Sequence, residues 1–376
     1  MPTETRSTRS LQTVIARAAA AVSVPRSTSA DSFVLHAPLE LIARVGLLPL
    51  VRAGQRDGAL ERIEGLMADF EAAGDPVDHP APLDFDDLES AAAWLVGALA
   101  AGDLDDVDAG VSWLGAHASH YELRGLLGEY LVPSLAAAGH APIALSLLPV
   151  VLDGMLPGTL LRGPLREIAR RPEWRLTWFD STHGLDHPQS LFDALAAVPR
   201  LGSPGSDFIY PLMSQVERSG VAADLLGPVL GPVLGDRFDV ASARHTIGRV
   251  AAWSMLHDDP THAPYGWTHC LTMPYAVMDL AGTGVPARTA LAVAATYVAG
   301  FRAAHSQVAL QRPVGPTGAP LPDPADLATS ASLHDDAHLV KYTMTCLQAA
   351  ADDVEMRALY LHAAQYLADW WRGRPE

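Results

Sequence analysis

The chain is nearly without lysine: of its 26 basic residues, 25 are arginine, and the single lysine is Lys341. Basic charge is scarce altogether. The 43 acidic residues leave a formal net charge of −17, so no basic surface is on hand to neutralise phosphates, which excludes nucleic acid and anionic membranes as partners. Cysteine occurs twice, at Cys270 and Cys346, too rarely for a disulfide framework and in keeping with a reducing cytoplasm, the expected compartment. Uninterrupted apolar runs are missing too. A membrane helix needs about 20 mostly apolar residues, and the most apolar long stretch, 141–161, is broken by Pro142, Pro149, Asp153 and Pro157. Near the start, Arg17 interrupts the apolar core that an export signal requires. The expectation is a soluble protein with no membrane partner. Strand-like alternation is nearly absent as well, which leaves little room for a sheet.

What remains is helix. Residues 38–54, 59–74, 87–102, 287–305 and 356–371 place apolar side chains at helical spacing, and several of these runs end in glycine or meet proline. With 49% hydrophobic residues the chain can bury a large core. The expected fold is all-α: one large multi-helical domain over 32–376 with a buried metal site. Residues 1–31 read as a mobile tail ending in a short amphipathic helix. A proline- and glycine-rich loop is expected at 311–331, and the repeat at 227–238 reads as a turn between helices.

Histidine is plentiful, with 15 copies. His-Ala-Pro occurs three times, at His36, His140 and His262. Proline is tolerated in the first helical turn, so each of these histidines is expected at a helix entrance. His338 and Lys341 stand three apart on a helical stretch, 337–353, and leave the same face of it among apolar neighbours. Burial there disfavours an ammonium. A neutral amine can take up CO2 as a carbamate, a hard oxygen ligand for iron, manganese or zinc beside imidazoles, whereas a guanidinium stays protonated. The other reading is an ordinary lysine whose head reaches water. Asp335 and Asp336 either orient a metal-bound histidine or simply start the helix. His334 carries a weaker case of the same kind, and His117, His120, His245 and His257 read as structural or exposed.

Four short motifs occur in order. Asp336, His338, Val340 and Lys341 form an Asp-x-His-x-Val-Lys stretch. His36 lies in LHAPLELIARVGLL, His140 in AAAGHAPIALSLL, and His269 with Thr272 in THCLTMPYAV. Together they resemble the questin oxidase-like family, oxygenases of anthraquinones and related aromatic polyketides, over about residues 30 to 365. The resemblance implies a mononuclear non-haem Fe(II) held by His36, His140, His269, His338 and a CO2-carboxylated Lys341. It also implies O2 and a small polycyclic aromatic as substrates, with oxidative ring cleavage among the outcomes. Thr272 becomes a catalytic candidate that hydrogen-bonds a reacting oxygen, or else a threonine bonded to its own helix. Asp336 becomes a partner of the ligating histidine, and Trp267 and Tyr275, which flank His269, become ring contacts. The expected cavity is apolar, without a charged clamp. NADPH as reductant stays open, although no dinucleotide fingerprint is present. The chain departs from the family pattern at Ala144, Leu147 and Leu271, which leaves the substrate open.

Two other readings stand beside this one. The stretch LHDD occurs at 256–259 and 333–336, as in HD-type metal-dependent phosphohydrolases. A helical binding protein with incidental histidines is the other.

Overall fold

The computed structural model describes residues 11–26, 32–77, 82–150, 156–180, 189–205, 208–230, 239–313 and 319–373. Among these residues no strand forms, and extended pairing is limited to isolated bridges such as Arg26 with Pro76. The all-α class expected from the sequence is the class observed. In chain order the helices are α1 (Leu11–Val22), α2 (Ser32–Leu47), α3 (Arg56–Ala72), α4 (Leu88–Ala101), α5 (Leu104–His117), α6 (His120–Leu131), α7 (His140–Leu147), α8 (Arg162–Arg170) and α9 (Leu191–Ala196). They continue with α10 (Ile209–Arg218), α11 (Gly227–Leu230), α12 (Val240–His257), α13 (Thr268–Leu280), α14 (Ala287–His305), α15 (Pro324–Leu333), α16 (Ala337–Asp352) and α17 (Arg357–Arg372).

Helix ends follow local chemistry. At α4 the Asp87 carboxylate accepts the Ser90 N–H at 2.7 Å, and the Asp87 N–H donates to the Ser90 hydroxyl, a reciprocal cap. The same helix stops at Gly102, whose φ of +78° suits glycine alone among common residues. At α15 the Asp323 carboxylate accepts the Ala325 N–H at 2.8 Å, and Pro324 fills the first turn, where a missing N–H costs nothing. That Asp-Pro start corrects the loop expected at 311–331: residues 324–331 are helix, and 314–318 lie outside the described residues.

The tail boundary also moves. Val14, Ile15, Ala18, Ala19 and Val22 lie on one stripe of α1 and are buried against α2 and α3. Burying the two valines and the isoleucine yields roughly 5–9 kcal/mol before chain entropy. Residues 11–26 therefore belong to the helical body rather than to a mobile tail; 1–10 and 27–31 lie outside the described residues. In the 227–238 repeat, residues 227–230 are helix α11, which continues a wide π-type turn at Ala222–Leu226, and 231–238 are not described.

The core is centred on α13 and α14. Every residue of α13 except Asp279 is buried, and α14 is buried continuously from Ala290 to His305. A helix apolar on all sides belongs in the middle of a larger helical body, and α13 packs against α7, α12, α14 and α16 at once. One contiguous apolar cluster runs from Val14 to Ala368. The run Phe33–Leu50 is long and apolar enough to cross a bilayer, yet 72% of it is buried inside the protein.

Candidate metal centre

Four helices meet pairwise: α13 packs on α7 and α16, and α2 packs on the same two. Each brings one histidine to the junction. His269 is the second residue of α13, His140 the first of α7, His338 the second of α16, and His36 lies one turn inside α2. The His36 ring centroid stands 4.6 Å from that of His140, 4.5 Å from His338 and 6.3 Å from His269. His269 lies 5.1 Å from His338 and 5.9 Å from His140. One nitrogen each from His36, His269 and His338 falls within 4.8 Å of the others. His140 adjoins this trio without being part of that tightest set. The helix-entrance expectation holds for His140 and for His262, which precedes a π-type turn at Ala263–Trp267. It fails for His36, because α2 already begins at Ser32 and carries Pro38 in its interior.

A strained turn delivers His140. Ala137 and Ala138 adopt φ of 53° and 50°, and Gly139 follows at 75°, three left-handed residues in a row. Such conformations cost of order 1 kcal/mol each for alanine and persist where the surroundings impose them. At Gly139 an added Cβ would lie 2.4 Å from Met273 Cγ and 3.1 Å from the Tyr297 hydroxyl. Gly139→Ala is therefore expected to lower unfolding free energy by about 2–4 kcal/mol. A denaturant midpoint equal to the parent's would refute the constraint.

The electrostatics favour neutral rings. Burial holds His36, His140, His269 and His338 below the usual imidazole range, and the nearby Lys341 charge pushes the same way on all four. His269 Nδ1–H donates to the Tyr265 carbonyl at 2.6 Å, which leaves the Nε2 lone pair available. His140 is fully buried, and among the described residues neither of its ring nitrogens has a hydrogen-bond partner. A buried polar atom without a partner costs about 1–3 kcal/mol, and a further ligand at the ring would remove that cost. Lys341 is buried on the same face of α16 as His338, and burial lowers its ammonium to about 8 against the opposing pull of Asp336 and Glu40. Neutral imidazoles with an amine or carbamate suit a first-row transition metal better than magnesium or calcium. By donor type, burial and the orphaned nitrogens of His140, the set fits such an ion.

The depressed imidazoles make a pH prediction. Below about 6.5 the unfolded chain binds protons that the buried rings refuse, so metal-free protein loses stability as pH falls. Each ring contributes up to about 1.4 kcal/mol per pH unit within that window. Thermal melts from pH 7.5 to 5 are expected to drop steeply for the parent and less steeply for His140→Leu; parallel curves would count against neutral burial.

Asp336 serves the start of α16 directly. Its Oδ1 accepts the N–H groups of His338 (2.8 Å) and Leu339 (3.1 Å), and it stands 3.5 Å from His338 Nδ1, too far for a strong bond to the ring. The Asp336 N–H donates to His334 Nδ1 at 2.9 Å. Thr272 is buried one turn after His269, and Thr268 bonds the Pro264 carbonyl.

The two aromatic candidates stand elsewhere. Trp267 donates its indole N–H to the Asp259 carbonyl and packs on Phe301 and His305, away from the four histidines. Tyr275 donates its hydroxyl to Asp352 at 2.5 Å beneath the Arg244 guanidinium. Both are framework residues, so the ring-contact expectation is corrected. The aromatic at the site is Tyr265, which is more than half exposed, with its ring edge-on to His338 at 4.9 Å.

His36 and His338 line a pocket of about 450 Å³ together with Phe33, Glu40, Arg44, Arg62, Tyr265 and Asp335, among others. Unlike the apolar cavity expected, this pocket is lined by several charged side chains. On α2, one Glu40 oxygen accepts both Arg44 Nε and Nη2, at 2.7 and 2.5 Å. Arg44 also donates to the Ser332 and His334 carbonyls, which ties α2 to the turn before α16. Arg62 of α3 pairs with Asp335 of that turn.

Neither LHDD stretch adds a metal-binding pair. His257 stacks on Trp253 and bonds its carbonyl, and Asp258 is buried against Arg302 and the N–H of Gln307. At the second stretch, His334 Nδ1 and Asp335 are engaged as described. His117 stacks on Trp113, and His120 bonds the Leu156 carbonyl. Compared with protein-family models, curated proteins and solved structures, the chain matches none.

Proposed function

We propose that this protein is a non-haem iron oxygenase of the questin oxidase-like kind, acting on a planar phenolic aromatic, with oxidative ring cleavage among the outcomes. The observation that supports the reading is the convergence of four buried imidazoles, with the chain's sole lysine buried one turn after His338 on the same helix. His36, His140, His269 and His338 would hold the ion with Lys341, carboxylated by CO2, as an oxygen donor. Iron, when bound, would supply one-electron chemistry toward O2.

The protein's own residues do the rest. Burial keeps the rings neutral. The Tyr265 carbonyl orients His269. Phe33 and Tyr265 offer aromatic faces at the pocket, whose volume lies within the roughly 300–1,000 Å³ usual for small-molecule sites. The hydrolase reading lacks support at the junction, where among the described residues no carboxylate joins the three converging nitrogens. Metal analysis of protein prepared without air and with iron supplied should find about one iron per chain. O2 uptake should follow addition of a hydroxyanthraquinone, not of a phosphate ester. Metal-free protein under those conditions would overturn the proposal, and turnover of phosphate esters alone would hand it to the hydrolase.

A further inference from the structure

Arg62 lines the pocket with a guanidinium that is not fully hydrogen-bonded among the described residues. Arg44 lines the same pocket, but its donors are committed to Glu40 and to two backbone carbonyls. Among the described residues Arg62 pairs with Asp335 alone, while its Nε is buried without an acceptor. A buried donor left unmade is costly. The existing pair is also replaceable: the Asp335 side chain is 67% exposed, and ion pairs so open to water are worth little. A guanidinium offers a planar fork that matches a carboxylate through two parallel N–H bonds.

The surrounding acids do not fill that role. Glu40 is neutralised by Arg44, Asp336 is spent on the first N–H groups of α16, and Asp69 is exposed at the rim. Beside this fork stand the rings of Phe33 and Tyr265.

We propose that Arg62 is the receptor for the carboxylate of an aromatic acid, which takes the guanidinium from Asp335 as it enters the pocket. This names the substrate class of the same site and rests on reading that pocket as the route to the four histidines. Arg62 is then a specificity-determining residue, with the aromatic body of the ligand lying against Tyr265 and Phe33.

The probes are anthraquinone-2-carboxylate and its methyl ester, titrated calorimetrically into full-length protein of measured metal content. Parent protein should bind the acid at least tenfold more tightly than the ester. Arg62→Leu should abolish that preference while keeping the ester affinity, and Arg62→Lys should restore part of it. Asp335→Asn should bind the acid several-fold more tightly than the parent, because the internal competitor is gone. Arg62 is partly exposed, and an unchanged melting temperature would establish that its variants fold. Equal affinities for acid and ester in the parent, no binding of either, or a preference that survives Arg62→Leu would each overturn the proposal. Metal content and O2 uptake separate the two readings. Metal-free protein that still selects the acid through Arg62 would lose the oxygenase and keep this inference; iron-loaded, oxygen-consuming protein indifferent to the carboxylate would do the reverse.

Discussion

Replacing His140 by leucine is expected to remove stoichiometric metal from the protein while making the metal-free form more stable. The ring is fully buried, and among the described residues both its nitrogens lack hydrogen-bond partners. A leucine of similar volume buries no unpaired polar atom, so unfolding free energy should rise by about 1–3 kcal/mol. A histidine kept for packing would show the opposite sign, because core substitutions normally destabilise. The metal-bound parent should be the most stable species of all, since an ion that binds only the folded state adds about 2.7 kcal/mol at a hundredfold excess over its dissociation constant. Metal analysis and melts of parent and variant, each with and without chelator, give the four values needed. A variant that keeps about one metal per chain, or whose apo form melts lower than the apo parent, would remove His140 from the ligand set. His117→Ala serves as the control. That ring stacks on Trp113 and bonds its carbonyl, far from the junction, and its loss should leave metal content unchanged.

The helical frame is largely legible in the sequence because its punctuation is local. Asp87 with Ser90, Gly102, Asp323 with Pro324, and Asp336 each satisfy or end a helix within four residues. The histidines are legible as an ordered set, although their meeting depends on how α2, α7, α13 and α16 pack. Trp267 and Tyr275 mislead because nearness in sequence is not nearness on a helix. Two residues before His269 points to the far side, and six residues after it is well off the face. Four residues before it, at Tyr265, points the same way. The same register places Glu40 one turn and Arg44 two turns beyond His36, so both could have been found. Arg62 could not: it reaches the site from α3 and meets Asp335 across more than 270 residues of chain, a pairing that only tertiary packing creates.

Lys341→Arg is expected to abolish metal binding and O2 uptake, although it preserves positive charge and nearly preserves length. The chain uses arginine at its other 25 basic positions, so the amine at this one invites a chemical reason. Burial supplies the condition. With burial lowering the ammonium to about 8, a far larger share of the side chains is neutral at pH 7 than in water. Only that neutral amine can attack CO2, and the resulting carbamate adds an anionic oxygen among four uncharged rings. An arginine stays protonated, offers no lone pair, and would set a fixed charge against any cation bound there. Lys341→Ala should lose metal as well, but should regain part of it with formate or propionate, a carboxylate small enough to occupy the vacated space. A packing role predicts otherwise: alanine would destabilise the fold, a short acid would restore nothing, and arginine would be tolerated better than alanine. Metal content of the three proteins, with and without added acid and bicarbonate, decides between them. Full metal and full turnover in Lys341→Arg would show that the lone lysine carries no carbamate.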